Sequence, residues 1–261
     1  MVWFRSSDSG QSWEHVFTVP DVQPGVEPYQ YGLRRIRFAP SNNQVVYGGS
    51  CRGEVGYPSD GAGKGVFRSA SAGADGTWFA ANDSKIEGLC ITDLAVDPFN
   101  HNLVYAATKN SGVFKTTDGG ANWTQTGLTF DTRAIAVHPS VHTYLLAGVI
   151  NQGIYESTDS GATWTPFNNG MEPNDYIRAI VFDPGNPQVA WAASMRSGVY
   201  RWEVTENRWA HINSGLRTRA VTSLAISPDG GLLYAGTSGE GVFRFGDPPP
   251  SWPVYLPLIV R

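Results

Sequence analysis

The stretch Ser157-Thr158-Asp159-Ser160-Gly161-Ala162-Thr163-Trp164 decides the fold of this chain. Its pattern is Ser or Thr, any residue, Asp, any residue, Gly, two further residues and Trp. An Asp carboxylate accepts hydrogen bonds from backbone N–H groups two residues further on, and Gly adopts the positive φ of tight turns. A short strand-like run, Ile154-Tyr155-Glu156, precedes this octad. The pattern therefore predicts a β-hairpin in which the Trp opens the returning strand.

The octad recurs intact at 6–13 and 116–123, and degenerate copies at 69–78 and 202–209 keep the Trp while the Asp or the Gly has changed. Three repeated Asp residues could suggest metal ligands or catalytic acids. Because each Asp is needed by its own turn, we interpret them as structural. The predicted structural residues are Asp8, Gly10, Trp13, Asp118, Gly120, Trp123, Asp159, Gly161 and Trp164.

A pair of strand-like runs also repeats along the chain. The first pair is 34–40 and 45–50, and four further copies follow, each with a Pro at the end of its first run. These prolines stand at 40, 98, 139, 184 and 228, so the period is close to 44 residues. Four strands in a unit of this length are typical of a propeller blade. The sequence predicts an all-β chain, a β-propeller of about five to six four-stranded blades.

Residues 1–247 are predicted to form the propeller, and the Pro-rich residues 248–261 a C-terminal tail. The chain has five pairs of first and second strands but six runs that read as the third strand of a unit, and the sixth of these runs is Trp3–Arg5. The chain is therefore expected to be either a fragment of a larger propeller or a ring closed by its two ends, with Trp13–Phe17 as the missing strand. An insertion at Ser50–Lys64 is a candidate functional loop.

Composition and motifs exclude several classes of function. A net charge of −4 argues against nucleic-acid binding. No apolar run approaches the roughly 18 residues of a membrane span, and no signal peptide is visible. The sequence contains no His-Glu-x-x-His and no Cys-x-x-Cys, and we expect neither metal nor cofactor. Cys51 and Cys90 follow and precede strands that meet on one face of adjacent blades, so they are a candidate disulfide pair.

One position of the repeat carries candidate binding residues. The residue six before each repeated Pro is Arg34, Thr92, Arg133, Arg178 or Thr222. Each begins an innermost strand, so these side chains are expected to ring the mouth of the central channel and to favour a carboxylate. The alternative is that each Arg pairs locally with Asp131, Asp175 or Glu87. The full set of candidate ligand-binding residues is Arg34, Arg133, Arg178, Arg196, Glu54, Tyr57, Lys109 and Asn151.

The octad resembles the Asp-box (BNR) repeat of sialidase-like and sortilin-like propellers, a resemblance that covers nearly the whole chain and implies the fold rather than a chemistry. The run Ile-Arg-Ala-Ile-Val-Phe-Asp-Pro at 177–184 is similar to blades of photosystem-assembly-factor-like propellers, which are non-catalytic. Xyloglucanase-type propellers are also similar, but they use two Asp in a cleft between two propeller domains. Sialidases need three Arg, a Tyr–Glu pair and an Asp, and Arg35-Ile36-Arg37 has Arg where their Arg-Ile-Pro signature has Pro.

The expected function is therefore a non-catalytic binding or scaffolding propeller that recognises a protein or glycan, with an acidic group, on the face opposite the octad turns. The alternative is a glycoside hydrolase of xyloglucanase or sialidase type, degenerate or fragmentary. The ending 255–261 resembles the short C-terminal tail of exported proteins of some environmental bacteria, which implies an extracytoplasmic or secreted protein.

Overall fold

The computed structural model describes residues 2–6, 8, 10–18, 31–52 and 62–246. Within these ranges the chain is all β, as predicted. None of the described residues belongs to a helix that could cross a membrane.

Five antiparallel sheets follow one another along the chain as the blades of a β-propeller, each with its strands in chain order from the channel outward. Blade 1 contains β3 (Tyr31–Ala39), β4 (Asn42–Arg52), β5 (Val66–Ser69) and β6 (Phe79–Ala80). Blade 2 contains β7 (Ile91–Val96), β8 (Val104–Thr108), β9 (Gly112–Thr116) and β10 (Thr124–Gln125). Blade 3 contains β11 (Thr132–Val137), β12 (Leu145–Val149), β13 (Gly153–Ser157) and β14 (Thr165–Pro166).

Blade 4 contains β15 (Ile177–Phe182), β16 (Ala190–Ser194), β17 (Gly198–Glu203) and β18 (Arg208–His211). In blade 5 the structure describes three strands, β19 (Val221–Ile226), β20 (Leu233–Thr237) and β21 (Val242–Phe245). We refer to the face on which the innermost strands begin as the front face, and to the opposite face, which carries the octad turns, as the rear face.

The N-terminal hairpin differs from the expectation that Trp13–Phe17 supplies a missing strand of the last blade. The strands β1 (Val2–Arg5) and β2 (Glu14–Thr18) pair with each other in a separate two-stranded sheet. Phe17 packs on blade 1, where its ring centroid lies 5.1 Å from that of Phe67 and 5.3 Å from that of Trp78. These contacts hold the hairpin at the first blade, because each pair of packed aromatic rings stabilises the fold by about 0.5–1.5 kcal/mol beyond the area that it buries.

The core lies between successive blades, because each sheet is apolar on both faces. Between blades 3 and 4, for example, Leu146 and Ile154 belong to one buried cluster with Ile180 and Tyr200. Full burial of such a side chain stabilises the fold by about 1.5–3 kcal/mol. The innermost strands β3, β7, β11, β15 and β19 contact one another in that order around the channel.

Each intact octad forms the predicted turn, but its hydrogen bonds differ in detail from the expectation. The Asp118 carboxylate accepts bonds from the backbone N–H and side-chain amide of Asn122, four residues later, at 2.9 and 2.7 Å. The Thr116 hydroxyl donates to Asp118 at 2.8 Å and accepts the N–H of Gly120 at 3.0 Å. Gly120 has a φ of +100°, which favours glycine. The octads at Asp8 and Asp159 have equivalent bonds, with the hydroxyls of Ser12 and Thr163 donating in place of the Asn122 amide.

We expect Asp159→Ala to lower the melting temperature by roughly 2–4 °C at neutral pH, because the turn loses its carboxylate bonds. Bonds from the Thr163 hydroxyl and backbone, and then from Ser157, lower the pKa of Asp159 to about 2. A carboxyl whose pKa is depressed in the folded state stabilises the protein above its unfolded pKa of about 4, and this contribution is lost as the pH falls toward 2. The difference in melting temperature between wild type and variant should therefore shrink between pH 4 and pH 2. A difference that is constant across this range would contradict the assignment.

A disulfide joins blade 1 to blade 2. Cys51 lies in β4 and Cys90 just before β7, with their Cα atoms 4.2 Å apart and both side chains buried. Backbone bonds from Gly63 to Gly88 and from Gly65 to Leu89 run beside it. The disulfide therefore joins the beginning of the insertion in blade 1 to the start of the next blade, and the Gly63 and Gly65 bonds hold the end of the insertion at the same place.

Candidate functional site

The innermost strand of every blade has a β-bulge near its start. In β3, Leu33 pairs with Ser50 and Arg35 with the adjacent Gly49, so that Arg34 is the extra residue. A bulge re-aims side chains and increases the local twist. The same irregularity occurs in the other four innermost strands, and the five extra residues are Arg34, Thr92, Arg133, Arg178 and Thr222.

The bulged residues meet in one central pocket at the front face. The pocket has a volume of about 310 Å³. The repeat position singled out in the sequence thus converges in space. Arg35 and Ser223, the next residues of β3 and β19, complete a lining of Arg34, Arg35, Thr92, Arg133, Arg178, Thr222 and Ser223.

Arg35 lies near three other arginines and one carboxylate at this pocket. Burial lowers the pKa of Arg35, and the charges of Arg37, Arg178 and Arg34 lower it further, while Asp93 opposes the shift. The Arg35 Nε lies 3.4 Å from Asp93 Oδ1, and the Arg37 guanidinium lies 2.7 Å from the same oxygen. One carboxylate therefore faces two arginines, and an additional anion in the pocket would relieve their repulsion.

Arg133 and Asp131 form the local pair that the alternative interpretation predicted. The Arg133 guanidinium donates two bonds to the Asp131 carboxylate, at 2.8 and 3.0 Å. The Arg133 side chain is only 6% exposed, so the pair is held in a fixed orientation. Part of the Arg133 charge is thus balanced within its own blade.

The predicted pairing of Arg178 with Asp175 is wrong. Arg178 instead donates to the neutral Tyr176 hydroxyl at 2.8 Å and lies over the ring of the same residue. The buried Asp175 accepts bonds from the Ser194 and Tyr200 hydroxyls. Because the tyrosine hydroxyl is neutral, this hydrogen bond does not balance the positive charge of Arg178, which can still attract an anionic ligand.

The remaining candidates lie outside this pocket or outside the described residues. Arg196 lines a second front-face pocket, of about 610 Å³, with Glu172, His211 and Arg219. Its guanidinium donates to the Asn174 carbonyl. Lys109 and Asn151 stand in the turns after β8 and β12 and line none of the pockets described here. Glu54 and Tyr57 fall in residues 53–61 of the Ser50–Lys64 insertion, which are outside the described residues.

A third pocket, of about 410 Å³, lies on the rear face between blades 3 and 4, and sequence reasoning missed it. Its lining is largely apolar and aromatic, with Tyr144, Phe167, Phe182 and Trp202 contributing. The ring centroids of Phe167 and Trp202 are 4.2 Å apart. In the sequence these aromatic residues lie in or beside different strands, and no repeat spacing connects them.

The described carboxylates beside the central pocket are paired with arginines. Asp93 and Asp131, the carboxylates that contact pocket arginines in this part of the chain, each bind guanidinium groups. Across the same residues, no three His, Cys, Asp or Glu side chains lie close enough together to hold a metal ion.

Comparison with known proteins identifies the fold. No protein-family model matches the chain, and no curated protein matches its sequence. A GH74 enzyme of Niastella koreensis superposes with a TM-score of 0.64 at 18% identity, over 93% of this chain and 40% of that one. The GH74 xyloglucanase of Xanthomonas campestris gives 0.59 at 17% identity, over 84% and 38%. YCF48 bound to D1 peptide gives 0.56 at 20% identity, over 83% and 64%. This chain thus spans about two-fifths of those two GH74 chains.

Proposed function

We propose that this chain is a non-catalytic binding or scaffolding propeller of the Asp-box type, whose central front-face pocket receives a carboxylate of its ligand. The ligand is an acidic segment of a partner protein or an acidic glycan. The observation that carries the proposal is the convergence of one repeat position from all five blades on a pocket lined by four arginines and three hydroxyl side chains.

The charges at the pocket support an anionic ligand. Arg35 is half-buried near other guanidinium groups, and Arg178 donates to a neutral tyrosine. A carboxylate can accept two parallel bonds from a guanidinium, and such charge-assisted bonds are stronger than neutral ones. Since the pocket is small, it would hold a single acidic group rather than an extended chain.

The comparisons support a binding role at the level of the fold. YCF48, a propeller of similar shape, is recorded with a bound peptide. Identities of 20% or less carry no ligand over to this chain. The Cys51–Cys90 disulfide supports an oxidising compartment and hence an extracytoplasmic location.

The second candidate function is glycoside hydrolysis, which the GH74 neighbours favour. Such an enzyme needs two carboxyl groups facing each other across the bond that is cleaved. In the described residues, Asp93 and Asp131 are instead bound by arginines beside the pocket. Incubation with xyloglucan and with a sialoside distinguishes the hydrolase from the non-catalytic propeller. Release of reducing sugar or of free sialic acid would favour the hydrolase.

Calorimetric titration tests the binding proposal with hexaglutamate and tetragalacturonate as acidic probes, and hexaglutamine and a neutral tetrasaccharide as their counterparts. At least one acidic probe should bind, and Arg178→Gln should weaken it by about 10- to 100-fold because a charge-assisted contact is lost. Arg208→Gln is the matched control, since this exposed arginine pairs with Glu206 in the rear hairpin of blade 4. Equal binding of acidic and neutral probes, or an unaffected Arg178→Gln variant, would refute the proposal.

A further inference from the structure

One cross-strand pair of side chains repeats in four of the five blades. It joins an aromatic residue of the second strand to the cationic residue directly opposite on the third strand, so both side chains lie on the same face of the sheet. The four pairs are Tyr47 with Arg68, Tyr105 with Lys115, Trp191 with Arg201 and Tyr234 with Arg244. In blades 1, 2 and 4 the cation lies over the aromatic ring, at 5.8, 5.6 and 5.4 Å from its centroid. This cation–π contact is therefore a regular element of the repeat.

In blades 1 and 2 the pair also spans the space between its own sheet and the next one. The Tyr47 hydroxyl of blade 1 donates to the His101 carbonyl of blade 2 at 2.8 Å. In blade 2, the Tyr105 hydroxyl and the Lys115 ammonium donate to the Ser160 carbonyl of blade 3, at 3.4 and 3.5 Å. The aromatic and cationic side chains thus fill this part of the interface between neighbouring blades.

Blade 3 differs from the other four blades because both members of its pair are replaced. Leu146 stands at the aromatic position, and Glu156 stands opposite it at the cationic position. Leucine is shorter than tyrosine and has no polar atom that could bond to the next blade, and glutamate reverses the charge. The rear-face pocket between blades 3 and 4 lies at this place, since Leu146 is part of its lining. The pocket therefore occupies the space that the missing aromatic–cation pair leaves.

The walls of this pocket are suited to a cation. Four half-buried aromatic side chains line it, and these are Tyr144, Phe167, Phe182 and Trp202. The faces of such rings attract positive charge, and no Lys or Arg is among the lining residues. His138, which also lines the pocket, is neutral at neutral pH, because burial lowers its pKa and its Nδ1 accepts bonds from two backbone N–H groups. The lining therefore supplies aromatic rings without a cation of its own.

A carboxylate stands beside these rings. The Tyr144 hydroxyl donates to Glu156 Oε2 at 3.0 Å, which holds the Glu156 carboxylate next to a wall of the pocket. The nearest repeat cation, Arg201 of blade 4, instead pairs with Glu203 and lies over Trp191 on the other side of its sheet. The negative charge of Glu156 is thus placed to attract a positive group that enters the pocket.

We propose that the rear-face pocket binds the guanidinium group of an arginine from a partner protein, in the place that the repeat gives to its own cation. Arginine is the cation in three of the four intact pairs. A guanidinium stacks on aromatic rings and donates two parallel bonds to a carboxylate such as Glu156, while its methylene stem packs on apolar walls.

The rim of the pocket favours a protein side chain over a free ion. Val141 and Val204 are 47% and 48% exposed, and they stand beside the neutral side chains of Thr143, Thr158 and Gln188. An apolar pocket with a neutral polar rim is the arrangement in which protein interfaces bury an anchor residue such as arginine. The site is independent of the anion proposed for the central pocket, which opens on the opposite face.

A titration of the Trp202 indole N–H resonance in a ¹⁵N-labelled sample of the full chain tests the proposal. The probe is the peptide acetyl-Gly-Arg-Gly-amide, and the same peptide with citrulline is its uncharged counterpart. The arginine peptide should shift the resonance to saturation with a dissociation constant about tenfold lower or better, because only the guanidinium gains cation–π contacts and a charge-assisted bond. Equal binding of the two peptides, or no shift with either, would refute the proposal. Tighter binding of agmatine than of the arginine peptide would contradict a protein partner.

Variants of the replaced pair locate the ligand. Glu156→Gln keeps an acceptor for the Tyr144 hydroxyl and should weaken the arginine peptide by about tenfold, whereas Glu206→Gln, at an exposed carboxylate of the rear hairpin of blade 4, should have no effect. The Leu146→Tyr/Glu156→Arg variant restores the pair of blade 1 and should abolish binding, because its own side chains fill the pocket. Arg178→Gln should leave this binding unchanged, which separates the site from the central pocket. Undiminished binding by Glu156→Gln, or by the folded double variant, would overturn the proposal.

Discussion

Replacing Trp123 by alanine is expected to lower the free energy of unfolding by about 3–5 kcal/mol, the range for removing a large buried aromatic side chain. Trp123 is completely buried in the cluster between blades 1 and 2. Its indole donates to the Ala81 carbonyl at 2.9 Å, and its backbone N–H donates to the Asp83 carboxylate at 3.0 Å. The variant therefore loses both packing and a bond between blades.

Urea unfolding of Trp123→Ala and Trp13→Ala measures the effect with a matched control. Trp13 occupies the same octad position but is 64% exposed, so its replacement should change stability by less than about 0.5 kcal/mol. Equal losses for the two variants would show that the tryptophans act through the turn itself and not through packing between blades.

Removing the disulfide with Cys51→Ala/Cys90→Ala is expected to cost about 2–4 kcal/mol. The two residues are 39 positions apart, and closing a loop of that length restricts the unfolded chain by about 4 kcal/mol in the entropic account. The variant should unfold at lower urea, and wild type in reductant should match it. Unchanged midpoints in both experiments would mean that the bond does not contribute to the stability of blades 1 and 2.

Sequence reasoning predicted the parts of the fold that follow from local repetition. The octads and the repeated prolines located the hairpins and the period, because each turn is made by residues close together in the chain. The strand boundaries differ by a few residues: the run predicted at 34–40 belongs to β3 (Tyr31–Ala39). The role of β2 was not predicted, because it depends on where Phe17 finds aromatic partners in blade 1.

The candidate site was predicted only in outline. The position six residues before each Pro was informative because a bulge in each innermost strand turns that residue toward the channel. The bulge itself could not be predicted, because no residue type at that position is specific for one. The pairing of Arg35 with Asp93 and the partner of Arg178 depend on neighbouring blades and on side-chain packing, which a repeat pattern does not specify. Arg196 lies on the same face of the propeller as the other candidate arginines, but it lines a different pocket.

The measurement that tests the central claim most directly is a titration of the arginine Nε–H resonances in a ¹⁵N-labelled sample with the acidic probe that binds. The account predicts that the resonances of Arg35 and Arg178 shift and saturate with the calorimetric dissociation constant, whereas that of Arg208 on the rear face stays fixed. Shifts confined to Arg196 and Arg219, with Arg178 unmoved, would place the ligand in the second front-face pocket and contradict the claim.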